Sequence, residues 1–152
     1  MTTPIDDYPE RFPYVSILED CIAYWDFRDK SLCDIISNRL ATWSTDRWIT
    51  DHLGQLNSAV DIDSTSEQVT WTNLGTVGDS LMLCRQSDSW IYAWNEPVLT
   101  TTGINTGVTK STLEVSIVMF FNRIMTTANR AQIETLLNIR YIYPTQQVEM
   151  QE

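Results

Sequence analysis

Leu113-Glu-Val-Ser-Ile-Val-Met-Phe-Phe121 is the stretch on which the fold turns. Leu113, Val115, Ile117, Met119 and Phe121 fall on one side of an extended chain by period-two alternation, so the segment predicts a strand. On the opposite side Glu114 and Ser116 give way to Val118 and Phe120. A strand apolar on both sides belongs inside a sheet covered from above and below, not at its edge. Beyond it, Asn122 to Thr126 reads as a turn, Thr127 as an N-cap, and Ala128 to Asn138 as a short helix with Ile133, Leu136 and Leu137 on one stripe. A late strand handing over to one terminal helix is the closing unit of an antiparallel domain.

Working outward, Cys21-Ile-Ala-Tyr-Trp-Asp-Phe27 predicts the first strand, with Ile22, Tyr24 and Asp26 on one face and Cys21, Ala23, Trp25 and Phe27 on the other. Turn chemistry at Ser37-Asn38 precedes a short strand from Leu40 to Trp43, and Thr50 to Gly54 is a second turn. Ser58 to Asp63 reads as a strand placing Val60 and Ile62 together. Gln68 to Trp71 and Ser80 to Cys84 are further strands, separated by a turn flanked by Gly75 and Gly78. Asp88-Ser-Trp-Ile-Tyr-Ala-Trp-Asn95 aligns Trp90, Tyr92 and Trp94 on one face, and Pro97 ends or edges that strand. Thr100 to Lys110, rich in Thr and Gly, reads as a loop.

At 152 residues the chain suits one domain with a real core, so folding requires neither disulfides nor a structural metal. Twenty acidic against ten basic residues leave a formal charge of -10, spread along the chain. That balance repels phosphate backbones and anionic membranes, so neither nucleic acid nor membrane is an expected partner. The start, Met-Thr-Thr-Pro-Ile-Asp-Asp, lacks a basic n-region and an apolar h-region, and no secretory signal is expected. Cys21, Cys33 and Cys84 lack metal-ligand spacing; they read as free thiols, with a Cys21–Cys33 pair as the alternative, and both fit synthesis in a reducing cytoplasm.

Residues 1–20 read as an extended N-terminal arm. Pro4, Pro9 and Pro13 hold the chain extended, while Tyr8, Phe12 and Tyr14 supply apolar anchors between charges. The arm lies on its own domain or docks on a neighbouring subunit; both stand open. Residues 21–140 form the folded domain, and 141–152 an extended tail whose Tyr141 and Tyr143 pack back on the domain or onto a partner.

The order of several short motifs resembles the laminin-G-like, concanavalin-A-like jelly-roll family. They are Ala23-Tyr-Trp-Asp-Phe27, Asp34 with Asn38, Thr50-Asp51 with Gly54, Asn57-Ser-Ala59, Ile62-Asp63, and Met119 to Arg123 followed by Ile133, Leu136 and Leu137. The likeness spans residues 21–63 and 111–138. It implies an all-β, antiparallel sandwich of jelly-roll type with one short C-terminal helix. Only about fifty residues separate the two matching ends, so the implied sandwich is a reduced one with shortened middle strands, and the middle is where a family ligand site would lie.

Three readings stand for Trp90, Tyr92 and Trp94: sandwich core, protein interface, or a platform on which sugars stack. Asp61 and Asp63 share a face and offer oxygens to calcium, a cation some members of the resembled family bind, but calcium needs six to eight such ligands, so a solvated strand face is the better reading. His52, the single histidine, has no serine or cysteine motif around it, and Val60 to Glu67 lacks the carboxylate spacing of sandwich-fold glycosidases. No enzyme, cofactor or metal is therefore expected. The expected role is a structural, homo-oligomeric protein of a large assembly, most concretely a virus capsid decoration or cement protein. It would be made in the host cytoplasm and carried in the virion, docking on coat or shell subunits through Tyr8, Phe12 and Tyr14. The alternative is a lectin-like module binding glycan through Trp90, Tyr92 and Trp94.

Overall fold

The structure, a computed structural model, describes residues 19–43, 45–62, 67–85, 88–104 and 113–139. In chain order the elements are β1 (Cys21–Asp26), a 3-10 turn (Arg28–Lys30), β2 (Trp48–Ile49), β3 (Ala59–Ile62), β4 (Val69–Thr70), β5 (Ser80–Arg85), β6 (Trp90–Trp94), β7 (Leu99–Thr100), β8 (Gly103–Ile104), β9 (Leu113–Phe121) and α1 (Thr127–Ile139). The described residues are mostly β: they form two antiparallel sheets and one α-helix. As the sequence predicts, β9 is central. β5 pairs with it along one edge, while β1 and β3 share the other edge end to end. β6 closes the large sheet beyond β5, and β2 beyond β3; β4, β8 and β7 make the small sheet.

Both faces of the large sheet are covered. Between the sheets, Trp25, Val60, Ile62, Met82, Cys84, Val118 and Phe120 meet Val69, Trp71, Leu99 and Ile104. Trp25 stacks on Trp71 with ring centroids 4.1 Å apart, and both rings stand edge-on to Phe120. On the opposite face Tyr24, Leu81, Leu83, Ile117, Met119 and Phe121 pack against Met125 and the α1 stripe Ile133, Leu136 and Leu137. Each large side chain removed from water this way contributes roughly 1.5–3 kcal/mol, and the two apolar layers together hold the helix on the sheet.

The nine-residue alternation of β9 is not continuous. Leu113 and Val115 lie between the sheets with Val118 and Phe120, whereas Ile117, Met119 and Phe121 face α1. The cause is a β-bulge: Leu83 pairs with Ile117 but Cys84 pairs with Val115, leaving Ser116 as the extra residue. A second register shift, between Cys21 and Ala23, turns Cys21 to the helix side beside Tyr24 and away from Ala23, Trp25 and Phe27, where simple alternation placed it. Alternation counts residues, and each extra residue reverses every face beyond it.

Three local expectations also change. Leu40 and Thr42 form single bridges to Cys33 and Thr70 in place of a short strand. Thr100, Gly103 and Ile104 belong to the β7–β8 hairpin and not to a loop. The helix cap is Thr126, one residue earlier than expected, whose Oγ1 accepts the Asn129 N–H at 3.1 Å. Cys21, Cys33 and Cys84 are free thiols, so the disulfide alternative falls.

Buried aspartates tie down the turns between these elements. Asp34 Oδ1 accepts the Tyr24 and Ile36 amides, each at 2.8 Å, and Asn38 closes the turn at φ 59°. Asp51 Oδ1 accepts the Leu53 and Gln55 amides at 3.0 and 2.8 Å, and Gly54 supplies the φ of 82° that the loop needs. Asp79, 1% exposed, gathers the other end of the sheet. Its carboxylate accepts Asn95 Nδ2 at 2.9 Å, the Met125 amide at 2.8 Å, and Arg130 through Nε at 3.1 Å and an η nitrogen at 2.8 Å. Beside it Gly78 lies so close to the β9–α1 turn that an added Cβ would sit 2.3 Å from the Arg123 carbonyl carbon.

Burial alone would raise the Asp79 carboxyl. The bonds from Asn95, Met125 and Arg130, with the charge of Arg130, outweigh it and hold the group below its ordinary range. The folded state therefore binds this proton later than the unfolded chain, and the stabilisation is present above about pH 4 and lost as the pH falls further. Asp79→Asn keeps the shape but leaves Arg130 facing a neutral amide. The expected loss is about 1–3 kcal/mol at pH 7, measured by urea unfolding, and the gap from the parent protein narrows below pH 4.

Candidate functional site

On the face that α1 covers, the cross-strand pairs Trp90–Arg85, Arg85–Glu114 and Glu114–Asp61 line up in one row over β6, β5, β9 and β3. Arg47 extends it, its backbone carbonyl accepting the Asp61 amide at 3.1 Å. Opposed residues of neighbouring strands share a face, so these five side chains stand together. Glu114 and Asp61 are like charges directly opposite one another, an arrangement that repels unless cations flank it. Here they do: Arg85 pairs with Glu114, and Arg47 Nε reaches Asp61 Oδ2 at 3.0 Å while its other arm pairs with Glu67.

The carboxylate that the sequence offers to calcium is thus held by Arg47. Among the described residues Asp61 Oδ1 is buried without a hydrogen-bond partner, and Asp63 lies outside them. Among the described residues no group of three or more His, Cys, Asp or Glu side chains is placed to hold a metal ion.

His52 has a neighbour that local sequence did not reveal. Its Nε2 lies 2.9 Å from the Leu137 carbonyl oxygen, and its Nδ1 lies 3.0 Å from Ser116 Oγ. A carbonyl only accepts, so Nε2 carries the proton and Nδ1 accepts from the serine hydroxyl. A hydroxyl donating to an imidazole is half of a nucleophilic triad, with a main-chain carbonyl where a carboxylate would stand. Ser116, however, is fully buried in the central strand, and a neutral carbonyl does not stabilise an imidazolium as a carboxylate does. The arrangement joins three elements instead: the 51–55 loop, the β9 bulge and the last turn of α1. The two residues stand sixty-four positions apart, and Ser116 reads in sequence as the polar side of a strand; a bulge leaves no local signature that would have paired them.

Trp90, Tyr92 and Trp94 share one face, as the alternation predicts, and all three are half-buried on the helix side at the edge of the large sheet. They therefore lie outside the core between the sheets. Trp94 clamps the helix: its indole N–H donates to Glu134 Oε2 at 2.8 Å, its ring stacks on Phe121, and the Arg130 guanidinium sits 4.8 Å from the ring centroid. Trp90 meets the His52 ring edge-on at 6.2 Å and lies 5.5 Å from the Arg85 guanidinium. Tyr92 sits between them with its hydroxyl buried and unpartnered; burial, then the charge of Glu134, pushes its pKa up to about 12. Tyr8, Phe12 and Tyr14 lie outside the described residues.

Burial is the largest influence on His52 and lowers its pKa, as does Arg28; the Leu137 carbonyl and Asp51 pull the other way without cancelling it. The unfolded chain therefore takes up a proton before the folded one, and stability present above about pH 6.5 declines as the pH falls toward the folded-state value. Unfolding free energy measured from pH 7.5 to 5.5 is expected to drop for the parent protein, and His52→Gln, which does not titrate, to flatten that part of the profile. An equal slope in the two proteins would remove His52 from this account.

No family model, curated protein or solved structure matches the chain.

Proposed function

We propose that the chain is a non-enzymatic structural component of a large assembly, most concretely a virus capsid decoration or cement protein. Its arm, residues 1–20, lies across neighbouring coat subunits and buries Tyr8, Phe12 and Tyr14 there. The observation that carries this reading is the anchorage of the arm's root. The Asp20 carbonyl accepts the Asn122 amide at 2.8 Å, and its carboxylate accepts Arg123 Nε at 2.6 Å. Asn122 directly follows β9, so a pull on the arm is delivered to the central strand of the sheet. Ile124, 74% exposed, stands in the same turn and offers apolar surface where the arm begins.

The reduced jelly-roll topology of the laminin-G-like kind belongs to the same proposal; the turns built on Asp34 with Asn38 and on Asp51 with Gly54 support it. A non-catalytic role is supported by Ser116, which is fully buried in the central strand. Synthesis in the host cytoplasm is in keeping with three free thiols. The lectin alternative draws less support, because the ring and N–H of Trp94 are engaged by Phe121, Arg130 and Glu134.

Deleting residues 2 to 16 leaves the body from Glu19 onward intact and is expected to abolish binding to the parent particle, read by co-sedimentation, with the melting temperature of the isolated protein little changed. Undiminished particle binding would overturn the anchoring arm.

A further inference from the structure

The outer edge of β6 is built to receive a strand. β6 is the terminal strand of the large sheet, five residues long, and Trp90-Ile-Tyr-Ala-Trp94 contains no charge and no proline. Exposed edges of this length usually carry a Lys, a Pro or a bulge that discourages pairing. The opposite edge is blunted, since β2 has only two residues and Arg47 precedes it. The backbone phase of β6 is set at its end, where the Asn95 N–H donates to the Ser80 carbonyl at 2.9 Å. Counting back through the alternating ladder turns the N–H and C=O groups of Trp90, Tyr92 and Trp94 outward. Among the described residues none of them meets a second strand. Ile91, 45% exposed, adds apolar surface beside them.

We infer that this edge takes residues Tyr14-Val-Ser-Ile-Leu18 from the arm of a second copy of the chain. The inference rests on the reading that the arm docks on a neighbouring subunit and adds a second contact to it: the backbone of residues 14–18 pairs with an adjacent copy, while Tyr8, Phe12 and the Tyr14 ring reach the coat. Tyr14 to Leu18 is an uncharged five-residue segment, Ser16 its one polar member, with the strand formers Tyr14, Val15 and Ile17, and it matches β6 in length and lack of charge. The β6 edge of its own body lies out of its reach. The root is fixed at Asp20, in line with β1; β1 and β5 pair with the same β9 residues and so lie on opposite edges of it. The outer side of β6 therefore lies four strand spacings from the root, on the order of 19 Å. Leu18 is two residues from Asp20, a reach of about 7 Å. Pairing of this segment with β6 is therefore between chains, with main-chain bonds providing affinity and the side chains of Trp90, Tyr92 and Trp94 providing specificity.

The test uses complementary variants. A chain lacking residues 2 to 18 keeps the edge but has no strand to give; full-length Ile91→Lys keeps the strand but carries a charge on the edge. The parent protein is expected to self-associate by light scattering, each variant alone to be monomeric with a parental circular dichroism spectrum, and a 1:1 mixture to form a two-chain species. In that mixture the Tyr92 and Trp94 amides of the arm-less chain should exchange at least tenfold more slowly than in the arm-less chain alone, a readout that does not depend on the Ile91 substitution. A monomeric parent, or a mixture that stays monomeric, would overturn the inference. So would association that survives loss of the arm, which would mean that β6 pairs with itself or with residues 141–143. Failure here and failure of the arm reading separate cleanly. If loss of the arm abolishes particle binding while Ile91→Lys associates like the parent, the strand pairing falls and the arm docks elsewhere; if particle binding ignores the arm while the mixture still forms the two-chain species, the anchoring reading falls and the pairing stands.

Discussion

The structure depends on one strand being dry on both faces. A backbone segment buried above and below must satisfy all its polar groups within the sheet, and β9 does so by having partners along both edges. Two short strands, β1 and β3, do on one edge what β5 does alone on the other. Because both faces are apolar, the chain must supply two covers, and among the described residues these are unequal pieces: a three-stranded sheet on one side and one helix on the other. A sandwich with so small a second sheet leaves its large sheet in need of the helix, which explains why α1 is fastened at both ends. Asp79 and Arg130 secure the beginning, and His52 secures the end through the Leu137 carbonyl.

The bulge at Ser116 reconciles these demands. A regular nine-residue strand would carry Glu114 and Ser116 on the same face as Val118 and Phe120, placing two polar groups between the sheets. Inserting Ser116 reverses the phase, so Glu114 moves to the helix side and joins Asp61, Arg85 and Arg47 beyond the end of α1. The apolar residues then sort completely: Leu113, Val115, Val118 and Phe120 between the sheets, Ile117, Met119 and Phe121 under the helix. The bulge exposes one hydroxyl to a dry interior, and His52 Nδ1 accepts from it. An imidazole held neutral by burial suits that position, since an unpartnered buried hydroxyl costs on the order of 1–3 kcal/mol.

How much of this was legible in the sequence follows the range over which each feature is encoded. β9, α1, the two turns at Asp34 and Asp51, and the shared face of Trp90, Tyr92 and Trp94 are set by residues within a few positions of one another, and local pattern finds them. The bulges are not local: whether Ser116 is skipped depends on what β5 presents opposite it. The same holds for Asp79, whose partners Asn95, Met125 and Arg130 come from three later segments; in sequence it is simply an acidic residue before a strand. The role of Trp94 was equally hidden. Periodicity shows that three aromatics share a face, but only the docking of α1 brings Glu134 and Arg130 against Trp94.

Charge and edge chemistry then divide the surface. A chain carrying -10 repels its own copies at long range, so association through extended acidic faces is disfavoured. Main-chain pairing at an uncharged edge escapes most of that penalty, because its bonds form at contact distance and involve no net charge. The charged row from Arg47 to Arg85 is self-neutralising to within one unit, its two guanidiniums set against Asp61, Glu67 and Glu114, and it presents little for a counter-charged partner to grip. Among the described residues the exposed apolar surface comprises Leu40, Leu56, Ile91 on the β6 edge, and Ile124 beside Asp20. Such surfaces reward partners that bring an unpaired strand or an aromatic anchor, and the proline-spaced aromatics of residues 1–20 are groups of that kind. On the proposed pairing, repulsion between the acidic bodies would keep free copies apart until an arm reached an edge, so the net charge that discourages aggregation would also make that contact selective for segments able to pair.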